Sequence, residues 1–285
     1  RMSKFKRVHM LASPKIVPPG PERAIALGKI VELKNFFDDF ILDRNAYYLN
    51  RNITKMLTAQ SRRSYAETVG ADPILYFVSH FWGSPFRDFV SSLRHHAQGA
   101  APACGIDQGL VAYWVCFLSN NQWSLDEELG QDWSESSFYK ALYTKSCLAT
   151  CMVLDTEALP LTRTWCLFEL LQTFKLGEDV QAGQRFQGLL FCTSSGVLNT
   201  GQASYDASVS LAKKLASLRV QKATASSLDD KKMIDDLIMK EGGFEQMNMY
   251  LRHKASDAMG AVREHFEHDF ETLQASLNRR CKIGL

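Results

Sequence analysis

A chain of 285 residues with 46% hydrophobic and 22% charged residues has the balance of a globular protein, which excludes a disordered chain, a collagen-like repeat and a coiled-coil rod. Its longest apolar stretch, about 110–118, is roughly half of what a bilayer span needs, so no membrane span is expected. The formal net charge of +2 carries no signature of direct nucleic-acid binding.

That charge is unevenly spread, with 13 Lys/Arg against 6 Asp/Glu over residues 1–71, 7 against 13 over 72–203, and 13 against 12 over 204–285. The acidic middle is the expected seat of the site, and the basic start is expected to dock on that middle or on an acidic partner. Residues 1–21 hold no acid and no apolar core segment, which argues against a secretory signal. Their basic composition also suits an organelle transit segment, so import stays open beside a cytoplasmic location. The next signal, Pro18-Pro19-Gly20-Pro21, breaks the chain, and apolar residues from Ile25 to Ile41 at helical spacing predict one helix over Glu22 to about Arg44.

From Pro73 the period changes. Ile74–Ser79, Val111–Leu118, Leu148–Leu154 and Phe186–Cys192 are short apolar runs rich in aromatic and branched residues, separated by helical segments at Pro85–His96, Ser137–Lys145 and Thr164–Leu176. Ser124–Glu127 has the form of a capping box. Such alternation predicts an α/β fold: a flavodoxin-like parallel sheet of about four to five strands with helices on both faces. Beyond Gly201 the chain reads as helical, with a start at Ser227, a stop at Gly242-Gly243, and a last helix carrying Met259, Val262, Phe266, Phe270, Leu273 and Leu277. The expected division is a basic N-terminal tail and helical extension (1–72), the α/β domain (73–203) and a C-terminal helical extension (204–285).

The seven cysteines form no CxxC pair and sit mostly in apolar runs, so they are expected to be reduced and buried. Cys147 and Cys151 are expected to share one strand face, and no histidine lies nearby in sequence, so no metal site is predicted. His95-His96 is expected at a helix end, and His265 and His268 on a solvated helix face.

In an open parallel sheet ligands bind beyond the carboxyl ends of the strands. Those ends supply Ser79-His80-Phe81-Trp82-Gly83, then Asn120-Asn121-Gln122-Trp123, then Asp155-Thr156-Glu157. Gly83 permits close backbone approach, His80 is a candidate base or ligand, and Trp82 and Trp165 are flat surfaces for an aromatic ring. Neither a Walker A loop nor GxGxxG is present. A cysteine nucleophile pairing Cys166 with His80 is a weaker candidate, since the thiol sits between Trp165 and Leu167.

The element order over residues 74–192, with Phe77-Val78-Ser79-His80 and Gly83 at the first strand end and Thr164-Trp165-Cys166-Leu167-Phe168-Glu169-Leu170 after the third, resembles a Toll/interleukin-1 receptor (TIR) domain of the plant type. The resemblance implies that Glu169 is the catalytic carboxylate in cleavage of the nicotinamide–ribose bond of NAD+, as glycohydrolase or cyclase. NAD+ or a related nucleotide is then a substrate and no resident cofactor is implied. Ser79, His80, Trp82, Gly83, Asp155 and Trp165 would bind it. Two departures stand out: the family's arginine after the first strand is missing, and Asp155 replaces the serine closing the third strand. A second acid beside Glu169 would raise its pKa. The alternative is a non-catalytic TIR-like module for signalling, which self-associates or joins a larger protein assembly; a nucleotide sensor without turnover is a third.

Overall fold

The computed structural model describes residues 1–125, 128, 130, 133–178, 185–225 and 227–283, with backbone alone at 273 and 275–283. Of the capping box expected at Ser124–Glu127, Asp126 and Glu127 lie outside these residues.

A six-stranded mixed sheet runs through the molecule in the order β1-β3-β2-β4-β5-β6. Its centre is four parallel strands, β2 (Tyr76–His80), β3 (Ala112–Val115), β4 (Ala149–Val153) and β5 (Leu189–Thr193), in the flavodoxin-like arrangement expected from the alternating pattern. Two-residue strands close the edges antiparallel: β1 (Ile25–Ala26) on β3 and β6 (Gly196–Val197) on β5. Every residue of β2, β3 and β4 is buried, because helices cover both faces and no position faces water.

Alternation along the strands divides the core. Tyr76, Val78, Tyr113, Val115, Ala149, Cys151 and Val153 pack on one side with α1 (Met2–His9), α2 (Leu27–Phe36) and α3 (Phe86–Cys104). Phe77, Trp114 and Met152 face the other side, under α4 (Ser137–Leu142), α5 (Thr164–Glu178), α6 (Tyr205–Ser217), α7 (Leu228–Lys240) and α8 (Gly243–Ile283). Phe77 and Trp114 stack across neighbouring strands with ring centroids 5.1 Å apart. The expected start of α7 holds, with the Ser227 side chain accepting from Asp230 N.

Four local expectations are corrected. Glu22–Arg44 is not one helix: Pro21–Arg23 is a 3₁₀ turn, Ile25–Ala26 pairs with Tyr113 and Ala112, and α2 begins only at Leu27. Strand pairing there satisfies backbone groups that the helical periodicity of the side chains does not reveal. The run at 111–118 yields a strand only to Val115, and Cys116–Ser119 turns helical. Helix α3 runs on past His96 to Cys104, because Ala97, Ala100 and Ala101 continue its buried face. His96 is therefore a core residue whose Nδ1 lies 2.7 Å from Tyr113 Oη, and burial lowers its pKa to about 4. Cys147 and Cys151 lie on opposite sides of the sheet, because β4 begins at Ala149 and Cys147 belongs to the preceding turn.

The basic N-terminal segment docks within the chain. Phe5 is buried in the core, Lys29 Nζ lies 2.8 Å from Asp72, and Arg23 Nη1 lies 2.5 Å from Glu128. No helix among the described residues is long and apolar enough to cross a membrane.

Candidate functional site

A cavity of about 450 Å³ opens where the carboxyl ends of β2 and β3 meet the start of α5. His80 closes β2, Cys116 follows β3, and Arg163 to Glu169 lead into α5. This is the place where a parallel sheet collects loop ends and leaves room for a ligand.

Pleating directs Ser79 and Phe77 to the α5 side of the sheet and His80 to the α3 side. Ser79 is fully buried, and its Oγ donates to Glu169 Oε2 at 2.5 Å. Glu169 projects from α5, whose Leu167, Phe168, Leu170 and Leu171 are buried against the sheet. Sitting beyond the first helical turn, it is not an N-terminal acid held by the helix dipole. The residue is half-buried, and part of its surface opens on the cavity. Burial pushes its pKa up to about 8, and the hydrogen bond from Ser79 opposes that rise. At neutral pH the carboxyl is thus mostly protonated.

Aromatic rings form the walls. Trp82 Nε1 donates to Cys116 Sγ at 3.0 Å while its ring meets Tyr47 at 5.3 Å and Phe117 at 5.5 Å. Trp165 Nε1 donates to Asp230 Oδ2 at 2.9 Å, and its ring packs edge-on against Phe138. The Arg163 guanidinium lies over the Phe81 ring at 5.4 Å and donates to Thr224 Oγ1. Both extensions therefore enter the site: Tyr47 comes from before the sheet, and Thr224, Ala225 and Asp230 from after it. Thr164 N donates to Thr224 O and Thr224 N to Thr162 O, stitching the C-terminal segment to the start of α5.

Of the residues singled out in the sequence, Glu169, His80, Trp82 and Trp165 line the cavity, as do Phe81, Asn120, Gln122 and Cys166, and Ser79 joins it through Glu169. Asp155 does not. Its Oδ1 accepts from Glu157 N and Leu159 N, and its Oδ2 accepts from Ser84 Oγ, so it caps the loop after β4. The raised pKa of Glu169 has burial as its cause rather than a second acid at 155. Gly83 also stands outside the lining; a Cβ there would lie 2.4 Å from the Phe81 ring, so it makes room for a side chain.

His80 packs between Phe89 and Phe117, with centroids at 4.8 and 5.7 Å, and burial lowers its pKa to about 3. Cys166 Sγ donates to the carbonyl of His80 rather than meeting its imidazole, and burial with Glu169 nearby raises that thiol. A high-pKa thiol without a base in reach is no nucleophile, so a Cys–His centre is not formed here. Cys116 is likewise pushed up to about 12 by burial. Among the described residues no three His, Cys, Asp or Glu side chains converge as metal ligands.

No protein family, curated protein or solved structure matches this chain. Sequence reasoning passed over several lining residues: Tyr47, Cys116, Glu128, Phe138 and Arg163. Glu128 follows directly on the Ser124–Glu127 capping box, where an acid reads as part of a helix start rather than as the wall of a site.

Proposed function

We propose that the chain is a TIR-like enzyme that cleaves the nicotinamide–ribose bond of NAD+ or a related dinucleotide, with Glu169 as its catalytic carboxylate. The observation that carries this reading is the half-buried Glu169, its carboxyl held by Ser79 Oγ at 2.5 Å at the carboxyl end of the sheet in an aromatic-walled cavity. The nicotinamide ring of NAD+ is a cation. Its entry favours the ionised form of Glu169, which an empty site disfavours. As the C1′–N bond breaks, its electron pair passes to the nicotinamide nitrogen and positive charge develops on the ribose. A carboxylate beside that sugar stabilises the charge, and the low-dielectric enclosure strengthens the effect. Nicotinamide leaves neutral, so no general acid is required. Water then adds to C1′ with loss of a proton, or a nucleophile of the same substrate closes a ring. Trp82 and Trp165 offer faces and edges to the flat rings.

The test is nicotinamide release from NAD+ by concentrated purified chain beside a Glu169→Ala variant. Release that disappears in the variant supports the assignment; unchanged release refutes it. A second reading, an assembly or signalling module without turnover, draws on the far part of α8, where Phe266 and Phe270 are 54% and 59% exposed. Absence of turnover from a folded, concentrated sample, together with self-association lost on Phe266→Ser/Phe270→Ser, would favour it.

A further inference from the structure

Glu128 faces the same cavity as Glu169, and its side chain is 2% exposed. Its two oxygens are treated differently. Oε1 accepts from Arg23 Nη1 at 2.5 Å and from Asn121 N at 3.0 Å. Oε2 is buried and has no hydrogen-bond partner among the described residues. Arg23 is itself 6% exposed, fastened by Nε to Val17 O and within 3.9 Å of Glu67. Glu67 is held in turn by Ser64 N and Ser64 Oγ, each at 2.9 Å. The carboxylate is thus fixed in place through one oxygen, and the network leaves the second without a donor. A buried acceptor without a donor is costly, which points to a partner that arrives with the ligand.

We propose that Glu128 is a ligand-binding carboxylate whose Oε2 accepts an N–H hydrogen bond from a cationic aromatic ligand. Two carboxyl groups share this cavity with Arg163, whose guanidinium is already engaged with Thr224 and Phe81. The aromatic walls supply area for a flat ring, and positive charge on it is matched by Glu128 and by Glu169 once that group ionises. A pyridinium carrying a carboxamide meets all three demands: ring, charge and N–H donor. This rests on reading the cavity as the nicotinamide site, and it assigns the carboxamide end to Glu128, leaving the ribose end to Glu169.

The test is binding to the whole chain, without turnover, of two probes: 1-methylnicotinamide and N-methylpyridinium, which keeps the cationic ring but lacks the carboxamide. Calorimetry should show the first bound at least about tenfold more tightly by the natural protein, as expected for a hydrogen bond to a charged acceptor. Equal affinity, or no binding of either probe, overturns the proposal without any variant being made. In Glu128→Gln, which keeps the side-chain shape, the preference should fall below about threefold; a preference that persists in the folded variant also overturns it. Because the measurement reads binding selectivity, it separates failure at Glu128 from failure of the catalytic assignment, which Glu169→Ala tests by release.

Discussion

Replacing Glu169 with glutamine is expected to stabilise the protein at neutral pH and to abolish turnover in the same molecule. The group titrates near 4.5 when unperturbed and at about 8 in the folded chain. Between those values the folded state holds a proton that the unfolded state releases. The stability linked to this group is therefore full below pH 4.5 and is lost as pH rises toward 8. At about 1.4 kcal/mol per pH unit, the loss reaches about 3 kcal/mol near pH 7. Water in the open cavity screens part of the effect, so about 2–3 kcal/mol is the expectation. Glutamine has the same shape, does not ionise, and its Oε1 still accepts from Ser79. Urea unfolding of both proteins at pH 5 and pH 7.5 should show a variant advantage that widens by about 2–3 kcal/mol, roughly 1 M in midpoint. An advantage that does not change with pH would refute the reasoning, because it would mean that Glu169 is not held protonated by burial.

In the proposed reaction the carboxylate is the active form, so the sign is opposite: kcat/KM should rise with pH through about 8 and level off above it, and a flat profile from pH 6 to 9 counts against Glu169. Ser79→Ala removes the one hydrogen bond that opposes the rise, so the midpoint of that profile should move further alkaline and activity at pH 7 should fall by about tenfold. Arg23→Met strips the buried Glu128 of its cation, while Glu67 keeps Arg63 at 3.8 Å, and should cost about 3–5 kcal/mol in denaturant unfolding, whereas a cost under about 1 kcal/mol would show that the Arg23–Glu128 pair is not truly desolvated. Gly196→Ala, at φ +141° with the new Cβ 2.4 Å from Gln202 O, should lose at least about 2 kcal/mol because the nearest atoms are backbone.

The central sheet was legible because doubly covered parallel strands are written as continuous apolar runs: Leu148–Leu154 brackets β4, and Ile74–Ser79 covers β2 to within one residue of its end. The edge strand β1 was hidden, since Ile25 and Ala26 continue a helical spacing and only the backbone of β3 draws them into the sheet. Ser79 and Glu169 were each singled out from their positions at element ends, and the fold brings them into contact across 90 residues of chain. Asp155 and Gly83 occupy equally suggestive positions, yet one caps a loop and the other accommodates Phe81. Nothing local distinguishes those outcomes.

Class, the four parallel strands, the helical ends and the rim on which a ligand would settle follow from periodicity and chain order, which are short-range properties carried by each segment alone; the two antiparallel edge strands that bring the sheet to six do not. Which acid is enclosed and which is exposed follows from desolvation, a sum over side chains distant in sequence. Tyr47 and Thr224 complete the wall from opposite ends of the chain, and Arg23 reaches across 105 residues to hold Glu128. The tertiary structure alone sets those distances, and with them the charge that each carboxyl carries.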